Sequence, residues 1–230
     1  MKIQDSVVIV TGASMGIGRE VAKLLGSQGA NVILAARSKE KLNELSVEIP
    51  GSIVVKTDMT RRGDIKVLID KTVEAFGRVD ILINNAGQGM RAAVESIDLS
   101  DYRSIIDLNI FGPLIAMQEV IPVMRKQGGG MILNISSMVS KNYFPYLGAY
   151  SSTKYALNAL SLTARQELAA DNIVVSVFHP KMTATDFGQN ARGETYSSSA
   201  GRPGMSVDTA EDVAKAILEQ IESEDAEMMM

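Results

Sequence analysis

Apolar positions along the chain come in two alternating kinds. Short runs read as strands: VVIVT at 7–11, NVILAA at 31–36, SIVVKT at 52–57, DILINN at 80–85, MILNIS at 131–136 and NIVVSVFH at 172–179. The first is β-branched throughout and stops at glycine, as expected of a strand buried on both faces. Between the runs, apolar residues recur at helical spacing: Ile17, Val21, Leu24 and Leu25; Leu42 and Leu45; then Ile65, Leu68, Ile69, Val73 and Phe76. A long helix is predicted from about Ser100 to Arg125 with Ser100 as its N-cap, and another over 150–168. Gly128-Gly129-Gly130 turns the chain between them, and Thr209 caps a last helix reaching about Ile221. Met228-Met229-Met230 is either a frayed tail or the start of a further edge strand.

Such regular alternation predicts an α/β fold: one doubly wound parallel sheet of six to seven strands, helices on both faces, joined by right-handed crossovers. No break in composition divides the chain, so residues 1–230 are expected to form a single domain. Only 180–207 lacks a pattern. This long segment, rich in glycine, serine and threonine, is expected to be a mobile substrate loop beyond the carboxyl end of a strand.

Composition narrows the chemistry. Hydrophobic residues at 46% and charged residues at 22% are ordinary for a globular enzyme. A net charge of −4 argues against a nucleic-acid partner. Absence of cysteine excludes disulfides and thiolate chemistry, and one histidine leaves little for a metal centre, so none is expected. MKIQDS lacks the apolar core of a secretory signal and no apolar run looks long enough to cross a bilayer, so a cytoplasmic location without membrane attachment is expected.

TGASMGIG, at 11–18, supports two incompatible readings. Gly12-Ala13-Ser14-Met15-Gly16 fits the G-x-S-x-G elbow that presents a nucleophilic serine. Gly12, Gly16 and Gly18 equally suit a turn in which backbone N–H groups at a helix start hold a pyrophosphate. The elbow needs a base, and His179, directly before Pro180, is the only candidate. The loop's place between first strand and first helix favours the phosphate.

Tyr150 and Lys154 stand four apart on a predicted helix, so phenol and ammonium project from one face. A cation that near lowers the pKa of a phenol. Ser137 ends the preceding strand, thirteen residues before Tyr150, and Asn109 lies inside the long helix.

With these residues in place, the chain resembles the short-chain dehydrogenase/reductase family, in the branch with T-G-x-x-x-G-x-G and Y-x-x-x-K, from about Val7 to Thr185. The resemblance implies a Rossmann-type dinucleotide-binding and catalytic domain with the tetrad Asn109, Ser137, Tyr150 and Lys154. Tyr150 would be the general acid/base, Lys154 would hold the nicotinamide ribose, and Ser137 would polarise the carbonyl oxygen. Asn109 would bend its helix and hold a water that relays protons. Cofactor contacts would come from Gly12, Ser14, Met15, Gly16, Ile17 and Gly18; from Arg37, Asp58 and Met59; from Asn85, Ala86 and Gly87 of the N-N-A-G stretch; from Tyr150 and Lys154; and from Pro180, Thr183 and Thr185. Lys181 departs from the glycine usual in relatives.

The second strand ends Ala35-Ala36-Arg37, without the acid that NAD-specific folds place there. Arginine can stack on adenine and pair with a 2′-phosphate, so NADP (NADPH) is expected, with NAD the alternative. Met90, Met138, Tyr143 and Phe187, together with Phe144 and Tyr146, fall in loops expected around Tyr150 and would form an apolar pocket. A moderately apolar ketone or aldehyde is the expected substrate. His179 is read as structural and Arg61-Arg62 as a solvated first helical turn. Relatives pair through the helices carrying Asn109 and Tyr150, which implies a homodimer, a homotetramer being the alternative. A catalytically silent dinucleotide-binding module is the competing function.

Overall fold

The computed structural model describes residues 1–193 and 207–230; the part of the expected substrate loop at 194–206 lies outside them. Seven parallel strands form the central sheet: β1 (Val7–Thr11), β2 (Asn31–Ala36), β3 (Ile53–Lys56), β4 (Ile81–Asn84), β5 (Gly130–Ile135), β6 (Ile173–His179) and β7 (Glu227–Met229). Their order is β7-β6-β5-β4-β1-β2-β3. Met228 and Met229 thus belong to an edge strand, with Met229 opposite His179. The order turns back between β1 and β4, which opens a crevice at the carboxyl ends of those two strands.

Successive side chains of each strand enter opposite layers, which explains the near-continuous apolar runs. Val8 and Val10 join Val21 and Leu25 of α1 (Gly16–Ser27), Leu42 and Leu45 of α2 (Lys39–Glu48), and Ile217 and Ile221 of α7 (Ala210–Ser223). Val7 and Ile9 face the other way, onto Ile65 and Leu68 of α3 (Arg62–Phe76) and Ala116 and Val120 of α5 (Gly112–Gln127). Each fully buried aliphatic side chain contributes about 1.5–3 kcal/mol.

The long helix is not uniform. α4 (Leu99–Ile106) passes into a π-helical stretch, Asp107–Phe111, before α5. Its N-cap is Asp98, not the expected Ser100. Asp98 accepts from the backbone N–H of Ser100 and Asp101, both at 2.9 Å, and the Ser100 hydroxyl itself donates to it. An anionic acceptor at a helix start beats a neutral hydroxyl because the helix dipole favours it. Contrary to the expectation above, Leu99–Gln127 is long and apolar enough to cross a membrane by length and composition. Here Ala116, Met117, Val120 and Met124 are instead spent on the sheet. Thr209 caps α7 as expected, its hydroxyl accepting from Asp212 N–H.

Two-residue bridges tie down the segment after β6: Thr183–Ala184 pairs with Asp208–Thr209, and Arg192–Gly193 with Met90–Arg91.

Candidate active site

The crevice begins with the glycine turn. Gly12 and Gly16 have φ of +68° and +54°, which side-chain-bearing residues rarely adopt. Gly18 is needed for space: a Cβ there would lie 2.3 Å from Asn85 Nδ2 and 2.5 Å from Gly12 O. The turns after β1 and β4 are thereby pressed together, and Thr11 fastens them. Its hydroxyl donates to Ile83 O and accepts from the N–H groups of Asn85 and Ala86. That role of Thr11 was not foreseen; a threonine opening a glycine loop gives no sign of a partner 72 residues away. Among the described residues no side chain caps the start of α1, which leaves its first N–H groups for an anion. The nucleophile elbow finds no base: His179 ends β6, separated from β1 by β5 and β4, and its ring faces Glu227 and Ser140.

Asn109, Ser137, Tyr150 and Lys154 come together around the crevice. Asn109 lies buried in the π-helical stretch, a distortion common at functional sites. Its Oδ1 accepts from Gln88 N–H and its Nδ2 donates to Gln88 O, each at 2.9 Å, and to Thr153 Oγ1 at 3.1 Å. Tyr150 and Lys154 sit one turn apart on α6 (Gly148–Glu167), and the Ser137 hydroxyl stands close enough to the Tyr150 phenol to favour its ionised form. Lys154 Nζ donates to Ile135 O at 2.8 Å and lies 5.9 Å from the centroid of the Tyr150 ring.

This arrangement corrects the expectation of a phenol acidified by its neighbour. Burial pushes the Tyr150 phenol well above its ordinary value, and the nearby Ser137 hydroxyl offsets only part of that. Burial also takes Lys154 down to about 8. The two groups share a helix face, but the ammonium is spent on a main-chain carbonyl, and desolvation outweighs attraction.

At the other end of the crevice, Arg37 is exposed and close enough to act on Asp58. Burial raises the Asp58 carboxyl, but two hydrogen bonds from Thr60 and the guanidinium charges of Arg37 and Arg61 bring it below the usual range. Met59 is buried against Gly112, where a Cβ would meet Met59 O at 2.8 Å. Arg61 precedes α3, and Arg62 opens it paired with Glu119.

Above the crevice, the segment after Pro180 folds back over the glycine turn. A Cβ on Gly16 would lie 3.2 Å from Thr185 Cγ2, and Asn190 Nδ2 reaches Met15 Sδ at 3.7 Å. Gln88 Nε2 donates to Asn190 O at 2.7 Å, and Arg192 bonds Gln88 Oε1 and Asp101. Gln88, absent from the expected site, links Asn109 to this segment. Lys181 is exposed and is not among the described residues with positive φ, so glycine is not required there.

The expected apolar pocket is partly corrected. Phe187 leans on Tyr150 with ring centroids 5.8 Å apart, and Met90 is buried in the same cluster. Met138 is half-buried, its N–H bonded to Pro180 O. Tyr143 is elsewhere: it is 90% exposed and stacks on Tyr155. Tyr146 is also exposed, under the Arg91 guanidinium. Loop residues near Tyr150 in sequence need not face it.

A family model described as short chain dehydrogenase matches residues 6–195. The chain belongs to the short-chain dehydrogenase family. It is an oxidoreductase acting on CH–OH and C=O groups with NAD(P). This dehydrogenase is 36% identical over 188 residues to an uncharacterised oxidoreductase of Staphylococcus saprophyticus, covering 80% of this chain and 76% of that one. It is 35% identical over 197 residues to mouse dehydrogenase/reductase SDR family member 7B, covering 82% of this chain but 61% of the longer mouse protein. An alcohol dehydrogenase of Thermococcus sibiricus, solved with 5-hydroxy-NADP, superposes with a TM-score of 0.85 at 26% identity, covering 98% and 95% of the two chains. A dehydrogenase/reductase of Sinorhizobium meliloti superposes at 0.88 and 26%, covering 100% and 95%.

Proposed function

We propose that this dehydrogenase reduces a moderately apolar ketone or aldehyde with NADPH, Tyr150 acting as general acid. The carrying observation is the placing of the Ser137 hydroxyl beside the buried Tyr150 phenol, with Phe187 against the Tyr150 ring and Lys154 buried one helical turn away. A phenol raised by burial stays protonated at neutral pH, which suits a donor to a carbonyl oxygen better than a base. Ser137 binds that oxygen and Tyr150 protonates it, with Phe187 and Met90 forming the apolar wall. Lys154 keeps its ammonium at pH 7, since its pKa of about 8 lies above that. Asn109 holds the Gln88 main chain at the crevice floor.

The cradle fits a dinucleotide: glycines at positive φ, space that a Cβ would fill, and a helix start without a side-chain cap. Gly12, Ser14, Met15, Gly16, Ile17 and Gly18 would hold its pyrophosphate, Asn85, Ala86 and Gly87 the adjoining ribose, and Asp58 and Met59 the adenine. Pro180, Thr183 and Thr185 would flank the nicotinamide. When bound, the nicotinamide supplies hydride to the carbonyl carbon. The preference for the 2′-phosphorylated form rests on Arg37, which stands beside Asp58 where NAD-specific folds place an acid. The reading extends to a cytoplasmic homodimer formed through the helices carrying Asn109 and Tyr150, where Leu99, Phe111 and Tyr155 lie exposed.

Titration with NADPH and NADH, followed by turnover of a panel of apolar carbonyls, tests this. NADPH should bind at least tenfold more tightly, Arg37→Asp should reverse the preference, and Tyr150→Phe should abolish turnover. Equal cofactor affinities unaffected by Arg37→Asp would overturn the NADPH assignment. A protein that binds cofactor and turns over nothing would instead be the silent module.

A further inference from the structure

The only histidine of the chain, His179, is fully buried at the end of β6, between Glu227 on one side and Ser140 on the other. On one side its Nε2 lies 3.0 Å from Glu227 Oε1, on β7. Glu227 also accepts from Lys141 Nζ at 2.6 Å, the largest of several effects that hold its carboxyl below the usual range. An ionised carboxylate only accepts, so Nε2 must carry the imidazole proton. On the other side Nδ1 lies 3.3 Å from Ser140 Oγ and 3.5 Å from Ser137 O. Ser140 Oγ reaches Ser137 O at 2.6 Å and is itself held by Asn158 Nδ2 at 2.9 Å. Asn158 Oδ1 in turn accepts from Ser136 Oγ.

The proton inventory makes this chain directional. With Nε2 protonated, neutral Nδ1 is a bare acceptor beside another acceptor, the Ser137 carbonyl. The Ser140 hydroxyl has one proton to give, and at 2.6 Å against 3.3 Å it goes to Ser137 O, to which a bare Nδ1 cannot donate. Were the proton on Nδ1, the imidazole would donate to Ser140 or to Ser137 O directly, and the turn at 137–140 would have a second, competing arrangement. The Glu227 carboxylate excludes that arrangement. The geometry superficially suggests a serine nucleophile, but Ser140 is buried and its hydroxyl is committed to Ser137 O.

We propose that Glu227, acting through His179 and Ser140, is a positioning residue that fixes the main chain of Ser137 and so aims the Ser137 hydroxyl at Tyr150. The inference rests on the assignment of Ser137 as the carbonyl-binding group. It gives β7 a part in the reaction although none of its residues belongs to the crevice. It also explains why a histidine stands before Pro180: burial keeps it below its ordinary pKa and therefore neutral, which the tautomer selection requires.

Two measurements test it. Because there is a single histidine, the long-range proton–nitrogen spectrum of the labelled protein reports its tautomer without assignment and without substrate. Wild type should show the Nε2–H form, and Glu227→Gln, whose amide can donate as well as accept, should show a mixture; an unchanged spectrum overturns the proposal. Kinetics with NADPH and benzaldehyde give the second. Glu227→Ala should lower kcat about tenfold with the NADPH dissociation constant unchanged, Glu227→Gln should recover part of the loss, and in a Ser137→Ala background Glu227→Ala should cost nothing more. Equal losses in both backgrounds would make Glu227 merely structural and overturn the inference. If Ser137→Ala alone leaves turnover intact, the carbonyl-binding assignment itself has failed, and the inference goes with it whatever the spectrum shows.

Discussion

Asn109 and Gln88 are paired amide to main chain: the Asn109 side chain accepts the Gln88 N–H and donates to the Gln88 carbonyl, both at 2.9 Å. A side chain here satisfies both polar groups of a residue 21 positions away, just beyond the N-N-A-G turn. The π-helical stretch lets Asn109 reach inward without ending the helix. Gln88 passes the constraint on, since its own amide holds the segment beyond Pro180 through Asn190 O.

Asn109→Ala should therefore act on stability as well as on turnover. Leaving the N–H and C=O of half-buried Gln88 without partners costs about 1–3 kcal/mol in total. The denaturation midpoint should fall accordingly, and kcat should drop more than the NADPH affinity. Asn109→Asp keeps the acceptor but loses the donor, and should fall between Asn109→Ala and wild type in stability. A midpoint unchanged in Asn109→Ala would contradict the pairing.

Two glycines should respond oppositely to alanine. Gly18→Ala places a methyl group 2.5 Å from Gly12 O and should cost about 2–3 kcal/mol, with NADPH affinity reduced more than tenfold. Gly63, in the first turn of α3, has open space around its Cβ position and no positive φ. Gly63→Ala should leave binding alone and stabilise by about 0.5–1 kcal/mol. Chemical denaturation and fluorescence titration of both variants check the pair.

Buried Lys154 makes the cofactor-free protein pH-sensitive on the alkaline side. Its folded-state pKa is about 8 against 10.5 for the free side chain. Between those values the unfolded chain binds more protons, so stability rises with pH as the buried charge is relieved. The full effect is about 3 kcal/mol, and most of it falls between pH 8 and 10. Above about pH 10, Tyr150 works the other way, because its buried phenol stays protonated while the unfolded one ionises. Urea denaturation at pH 7.5 and 9.5 should show the rise, in the order of 1–2 kcal/mol, and Lys154→Met should remove it.

Phe187 and Tyr143 separate the two kinds of loop aromatic. Phe187→Ala removes the ring against Tyr150 and should raise KM for apolar carbonyls about tenfold. Tyr143→Ala loses only an exposed stack on Tyr155 and should leave KM within twofold. Steady-state kinetics with two carbonyls of different size decide it, and equal effects would contradict the placement of the wall.

Strands and helices were legible because they rest on local periodicity. VVIVT needed no partner to read as a buried strand, and Thr209 no partner but Asp212 to cap α7. The cap of the long helix was not legible: Ser100 was expected, and only the folded backbone shows that Ser100 is already helical and Asp98 is the extended residue before it. In the site, Tyr150 and Lys154 were legible as a pair because four residues make one helical turn.

By itself the sequence determined the strand and helix pattern, the glycine turn and the shared face of Tyr150 and Lys154, since each is a property of neighbours along the chain. Tertiary structure alone decided how those groups behave. Whether a phenol is acidified or suppressed depends on how much water it loses, and that is set by Phe187, Met90 and Ala149 closing over Tyr150. Thr11 with Asn85, Asn109 with Gln88, and Glu227 with His179 are pairings across 74, 21 and 48 residues, and no period in the sequence carries them because the folding of strands and helices against one another, not the chain order, brings them within hydrogen-bonding distance.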